Sequence, residues 1–293
     1  MSEEIALAES ELNQNLVDAA GYMLKIDPVN TYPPFASNIM HLFAPIIIDA
    51  PTVLDNGALH NALCVFVDSF MYGTDQADIL PRLIPALLVG LASKDDLLRQ
   101  VGAFGLGVCA ASPVASVNNE QWMVPVVDKL LEALKADDAE DPDMLNATEN
   151  VVSALGKIGV ALGYNERCMQ PWLAGLPLVH DEMEAQWNHA LLCRMILEDK
   201  IGGGGKSVQV LALCLKDKHM VVGGQSEVEE LEDDDEEEFV EPIELIEPAN
   251  KPLVVAALTR LSQRMGREAF LSAVSSVHDN EAKALVAQNV VLA

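Results

Sequence analysis

The chain is predicted to be all-α, a stack of five to six helical hairpins in the manner of a solenoid. Three observations lead there: four segments repeat one pattern, two independent markers of that pattern agree in period, and the composition favours helices over strands. The pattern is a polar or acidic turn, a helix with small residues near its start, a Pro-marked break and a second apolar helix. First helices are expected to begin near Val53, Asp95, Asp143 and Asp181, in steps of 42, 48 and 38 residues. The Pro marks at Leu80-Pro81, Val124-Pro125 and Gln170-Pro171 repeat in steps of 44 and 46. Both registers straddle the roughly 40 to 47 residues of a HEAT-type repeat. Aromatic residues make up 5% of the 293, with Leu, Ala, Val and Met abundant, which suits helix-on-helix packing.

In order along the chain, residues 4 to 25 read as an amphipathic helix with Leu12, Leu16, Ala19, Ala20 and Met23 on one stripe, ended by Asp27-Pro28. A second helix follows Pro34 and carries Ile39, Leu42, Phe43, Ile46 and Ile47. The next pair spans about 53 to 73 and 78 to 92. The third, KDDLLRQVGAFGLGVCAAS followed by EQWMVPVVDKLLEALKA, has Asp95 or Asp96 at its start and Arg99 inside, placed for an Asp–Arg ladder between units. The fourth runs MLNATENVVSALGKIGVALG then CMQPWLAGLPLV, and the fifth DEMEAQWNHALLCRMILED then SVQVLALCLKD, with a Gly-rich turn at Ile201 to Gly205 between its helices. KPLVVAALTRLSQRMG and EAKALVAQNVVLA read as capping helices. The expected division is a solenoid at 1–224, an acidic, disordered insert at 225–250, and capping helices of the same solenoid at 251–293.

Several classes are set aside. The opening MSEEIALAESE has no basic n-region or apolar h-region, so a secreted protein is not expected. The longest charge-free stretch, Val101 to Asn119, contains Gly, Ser and Pro113 and falls short of a bilayer span. The five cysteines (Cys64, Cys109, Cys168, Cys193, Cys214) have no CxxC spacing and occupy apolar helical positions, as core thiols of a reduced protein do. A net charge of −27 repels nucleic acid and anionic membrane and attracts basic proteins. Thirteen of those carboxylates lie between Glu227 and Glu247, with no Lys or Arg among them.

That acidic run is open to two readings. It can simply solvate the surface, or Glu229, Asp233, Asp234, Asp235 and Glu236 can attract a Lys- and Arg-rich cargo, with Phe239, Ile243, Leu245 and Ile246 docking the segment. GGGGKS at Gly202 to Ser207 fails as a phosphate-binding loop, because Lys200 stands where that motif needs Gly and a helix, not a strand, precedes it. His180, Asp181, Glu182 and His189 lack a metal-binding spacing, and Asp181 is better placed as a helix cap. Trp122, Trp172 and Trp187 are read as core residues, with a minority reading that one lines a partner groove. With no GxSxG element and no Cys–His pairing of the nucleophilic kind, no enzyme activity, cofactor or metal is predicted.

The runs LLRQVGAFGLGVCA (97–110), NATENVVSALGKI (146–158) and WLAGLPLVHDEMEAQWNHALLCRMIL (172–197) closely resemble the C-terminal HEAT repeats of the importin-beta superfamily, of the karyopherin-beta-3 type in particular. LHNALCVFVDSF (59–70) and VVAALTRLSQ (254–263) extend the resemblance more weakly. It implies an importin, a HEAT-repeat nuclear transport receptor that moves between cytoplasm and nucleus. Such a receptor wraps basic cargo of the histone or ribosomal-protein type, releases it to the GTPase Ran and passes pores by binding nucleoporins. Two departures stand out. Family members are several times longer, and the N-terminal repeats that contact Ran have no counterpart here, so the chain looks like a C-terminal portion or a reduced paralogue. The acidic insert is the second. The rival expectation is a HEAT-repeat scaffold or adaptor outside nuclear transport.

Overall fold

The computed structural model describes residues 15, 19, 21–23, 25–27, 38, 43–53, 55–72, 79–112, 119–201, 204–220 and 242–291. After helical positions between 15 and 26, the described helices are α1 (Ala44–Ile48), α2 (Asn56–Tyr72), α3 (Leu80–Leu91), α4 (Asp96–Ala111), α5 (Asn119–Ala133), α6 (Leu145–Ala161), α7 (Glu166–Gly175), α8 (Glu182–Leu197), α9 (Gly205–Leu213), α10 (Lys251–Met265), α11 (Arg267–Ser275) and α12 (Asn280–Asn289). The departure from all-α among these residues is one two-residue antiparallel ladder, β1 (His219–Met220) with β2 (Pro242–Ile243). The chain divides into two units, one of Met1–Glu140 with Asn150–Met169 and one of Asp141–Glu149 with Gln170–Ala293.

Helix starts follow the predicted chemistry. Asp95 and Asp181 sit as N-caps of α4 and α8, their Oδ1 atoms accepting from the Leu98 and Glu184 amides at 3.0 Å each. Each satisfies one of the amides a helix start leaves without an internal partner, a contribution of about 1 kcal/mol. The first stripe is rotated from its predicted face: Ala19 and Met23 are exposed and Gly21 is buried, where a Cβ would meet the Asp68 carboxylate.

In the first unit the pairing of helices differs from the sequence reading. The short turn of Ala92 to Asp95 folds α4 directly back on α3, and α4 also packs along α2, whereas its described contact with α5 is slight. The hairpin is therefore apolar helix, acidic turn, small-residue helix. Of the prolines that mark the pattern, Pro81 stands at the start of α3, whereas Pro125 and Pro171 lie inside α5 and α7. A proline near the second turn removes one intrahelical donor and the helix continues past it, so it marks a position along the helix and not its beginning.

Glycines set how closely α3 and α4 approach. A Cβ on Gly102 would lie 2.4 Å from the Leu91 nitrogen and 2.7 Å from the Leu87 carbonyl oxygen, and one on Gly90 2.8 Å from the Leu98 carbonyl. Around this contact Leu63, Leu83, Leu87 and Leu106 are fully buried, each worth about 1.5–3 kcal/mol of apolar transfer. The expected Asp–Arg ladder is present and extends to amides. Asn56 donates to Asp95 at 3.2 Å, Arg99 grips Asp138 through both terminal nitrogens at 2.7 and 2.9 Å, and Arg167 pairs with Asp128. All three contacts join residues 39 apart in sequence, one repeat step.

In the second unit α10 packs along α8, and α9 packs on α11 and α12. Helix α11, REAFLSAVS, lies between the two capping helices that the sequence predicts. Gly266 separates it from α10 by taking φ +78°, a backbone region that glycine enters without penalty. Gly205, expected in a turn, instead opens α9. The four thiols of Cys109, Cys168, Cys193 and Cys214 are buried, and Cys64 is half-buried beside His60. Burial raises Cys168 to about 11 and Cys193 to about 12, so these thiols stay protonated and unreactive.

Candidate functional site at the root of the acidic segment

Helix α8 carries a line of polar side chains that a helix packed on several neighbours would ordinarily avoid. Glu184, Asn188 and His189 are all buried. Each has a partner, as buried polar groups require. The Asn188 Oδ1 accepts from the Trp172 indole at 2.7 Å, and its Nδ2 donates to the Glu184 carbonyl at 2.7 Å. Trp172 is thereby a fully buried core residue, as expected; Trp122 and Trp187 are partly exposed.

The loop before α8 is held by Glu149, the acidic residue of the NATEN run. Its carboxylate accepts from the amides of Val179 (2.6 Å), His180 (2.9 Å) and Asp181 (3.1 Å), and from the His180 Nδ1 at 2.8 Å. Three converging amides and an imidazole satisfy a largely buried carboxylate, so this is an internal anchor. The cluster of His180, Asp181, Glu182 and His189 is thus absorbed by structure, and no group able to hold a metal occurs among the described residues.

His189 joins two segments. Its Nε2 accepts from the Leu178 amide at 3.3 Å and its Nδ1 donates to the Leu245 carbonyl at 2.7 Å. Burial is the main cause that lowers its pKa to about 4, opposed by the Leu245 carbonyl and the Glu149 carboxylate, so the ring is neutral at physiological pH. One and two turns toward the helix start, Gln186 donates to the Glu244 carbonyl at 3.3 Å, and Glu182 accepts from the Glu244 amide at 3.0 Å. Leu245 and Ile246 are 1% and 2% exposed.

This grip lies just after the β1–β2 ladder. Met220 and Pro242 face each other in the β1–β2 ladder, with His219 opposite Ile243. His219 donates to the Leu213 carbonyl at 3.0 Å, and burial lowers its pKa. Lys216 pairs with Asp279 at 2.6 Å and Lys251 with Asp217, tying the surrounding helices together. The candidate cargo residues Glu229, Asp233, Asp234, Asp235 and Glu236, and Phe239, lie outside the described residues. The last nine positions of the predicted insert are described: they form β2, the buried Leu245-Ile246 pair and a short 3-10 turn at Pro248–Asn250. Sequence reasoning missed Glu182, Gln186 and His189 as a group; their spacing of four and three residues on one helix face was the available signal.

The first unit carries a separate apolar groove of roughly 560 Å³, lined by Pro51, Pro85, Leu88 and Val89, with Lys129 and Glu132 among its polar neighbours.

No family model matches the chain. Importin subunit beta-3 of Saccharomyces cerevisiae is 28% identical over 140 residues, 46% of this chain and 13% of that protein. A mutant of Kap121p superposes with a TM-score of 0.67 at 17% identity, over 96% of this chain and 23% of the other. Kap121p bound to the extreme C-terminus of the protein phosphatase Cdc14p gives 0.62 at 16%, over 99% and 23%. Kap121p bound to the SUMO protease Ulp1p gives 0.59 at 17%, over 96% and 22%. The chain has the fold of these karyopherins, a HEAT-repeat solenoid. The chain spans about an eighth of the curated relative and under a quarter of the solved karyopherins. No described helix is long and apolar enough to cross a membrane.

Proposed function

We propose that this chain is a protein-binding module of a nuclear transport receptor and binds basic cargo for nuclear import. The observation that carries the reading is the likeness over nearly the whole chain to karyopherin structures solved with bound protein segments, joined to a net charge of −27. Recognition is electrostatic: Glu229, Asp233, Asp234, Asp235 and Glu236 attract Lys- and Arg-rich cargo of the histone or ribosomal-protein type, and the β1–β2 ladder brings the two ends of their segment together. We assign nucleoporin contact to the apolar groove beside Pro85, whose chemistry suits aromatic side chains. The role is binding and not catalysis, exercised between cytoplasm and nucleus, with residues 225–250 as the cargo-facing insert between 1–224 and 251–293.

The test is titration of the purified chain with a core histone at low and physiological salt, with and without Ran-GTP. Saturable binding that weakens at least tenfold with salt supports the reading. Loss of that binding on adding Ran-GTP makes the chain a working receptor, and insensitivity makes it a cargo-side module. Absence of binding under both salt conditions refutes the proposal in favour of a scaffold.

A further inference from the structure

The contacts of α8 with the returning segment have an unusual composition. Glu182, Gln186 and His189 bond to main-chain atoms of residues 244 and 245, namely the Glu244 amide, the Glu244 carbonyl and the Leu245 carbonyl. Donors and acceptors spaced along about 10 Å of one helix face thus read the backbone of residues 244 and 245 without reading the side chain of residue 244. Selectivity comes from the next two positions, where Leu245 and Ile246 are almost wholly buried. Main-chain bonds thus hold the segment and apolar side chains select it, a division of labour that peptide-binding sites share.

We propose that Glu182, Gln186 and His189 form a recognition strip for a peptide main chain, filled here by the chain's own residues 244–246, and that a peptide with Lys or Arg followed by two aliphatic residues binds it in trans.

Short elements flank the internal segment. Upstream it is held by a two-residue ladder, and downstream by the 3-10 turn at Pro248–Asn250, while α10 makes its own extensive packing on α8. Release of residues 242–247 therefore leaves the α8–α10 pair in place. Charge favours a different occupant. The Glu182 carboxylate accepts from Gln186 and from the amide of Glu244, which is itself an acidic residue. A cationic residue at the position of Glu244 replaces like charge beside Glu182 with opposite charge. The strip lies wholly on described residues and is independent of what the acidic segment binds.

The experiment uses the full chain. A labelled peptide copying residues 242–247, but carrying the change Glu244→Lys, is titrated into wild type and into a Leu245→Ser/Ile246→Ser variant whose helical circular dichroism matches wild type. Binding at least tenfold tighter to the variant, reduced tenfold or more by adding Gln186→Ala and Glu182→Gln, is the expected result. Equal affinity for both chains, or no binding to the folded variant, overturns the proposal. Should the variant lose its helicity, amide hydrogen exchange of the wild-type chain decides. Exchange of the Glu244 amide at least tenfold faster than the interior amides of α8 shows that the strip empties while the helix persists. Matched rates show a segment that leaves only on unfolding, which overturns it. A chain that fails to bind basic cargo leaves each of these readouts intact.

Discussion

His189 offers the sharpest test of the packing around α8. The Leu245 carbonyl can only accept, so Nδ1 must carry the proton, and the Leu178 amide can only donate, so Nε2 must be bare. The ring is therefore a single neutral tautomer. Its pKa is lowered from 6.5 to about 4, chiefly by burial, so the unfolded chain takes up a proton that the folded chain refuses. The stabilisation linked to this group is whole above about pH 6.5 and is lost as pH falls toward 4. A difference of that size corresponds to about 3 kcal/mol, of which about 2 is lost between pH 7 and pH 5. Long-range proton–nitrogen correlation spectra of the imidazoles should show the Nδ1-protonated neutral form of His189 at pH 7, unchanged at pH 5. Urea unfolding followed in parallel should show wild type losing about 2 kcal/mol more than His189→Gln over the same interval. A His189 midpoint above pH 6, or a ring protonated on Nε2, would falsify the account of how α8 holds the returning segment.

Two further outcomes follow from the first unit. Gly102→Ala should destabilise by about 3 kcal/mol, the upper end for overpacking, because the added methyl meets backbone atoms of α3 that cannot rotate away; a denaturation shift below about 0.5 kcal/mol would show that the two helices separate easily. Arg99→Ala should cost about 3 kcal/mol, since it removes both bonds to Asp138 and the one to the Ser93 carbonyl. In the same variant the Asp138 carboxyl, held low chiefly by its hydrogen bonds to Arg99, should rise toward the ordinary carboxylate range in a carbon-detected NMR titration. The pair's contribution is present above that range and lost as pH falls below it, so wild type and variant should converge in stability in acid.

What could be read from the sequence alone was whatever local chemistry determines. Asp95 and Asp181 lie one residue ahead of apolar helical runs, and a short side chain there can reach only the amides just beyond it. The repeat length, the helical class and the burial of Trp172 likewise come from residues near in sequence. Pairing was another matter. Nothing within α4 states whether it folds onto α3 or α5; that follows from the absent side chains of Gly90 and Gly102 meeting across two helices. Arg99 was legible as a ladder residue, but its partner Asp138, 39 positions on, was not. The polar line of α8 was the least legible of all. Glu182, Gln186 and His189 look like scattered polar residues until a segment more than 50 residues downstream returns to lay its backbone against them. Caps and periods depend on distances along the chain, whereas hairpin partners and buried polar contacts depend on distances through space, which only the packed fold sets.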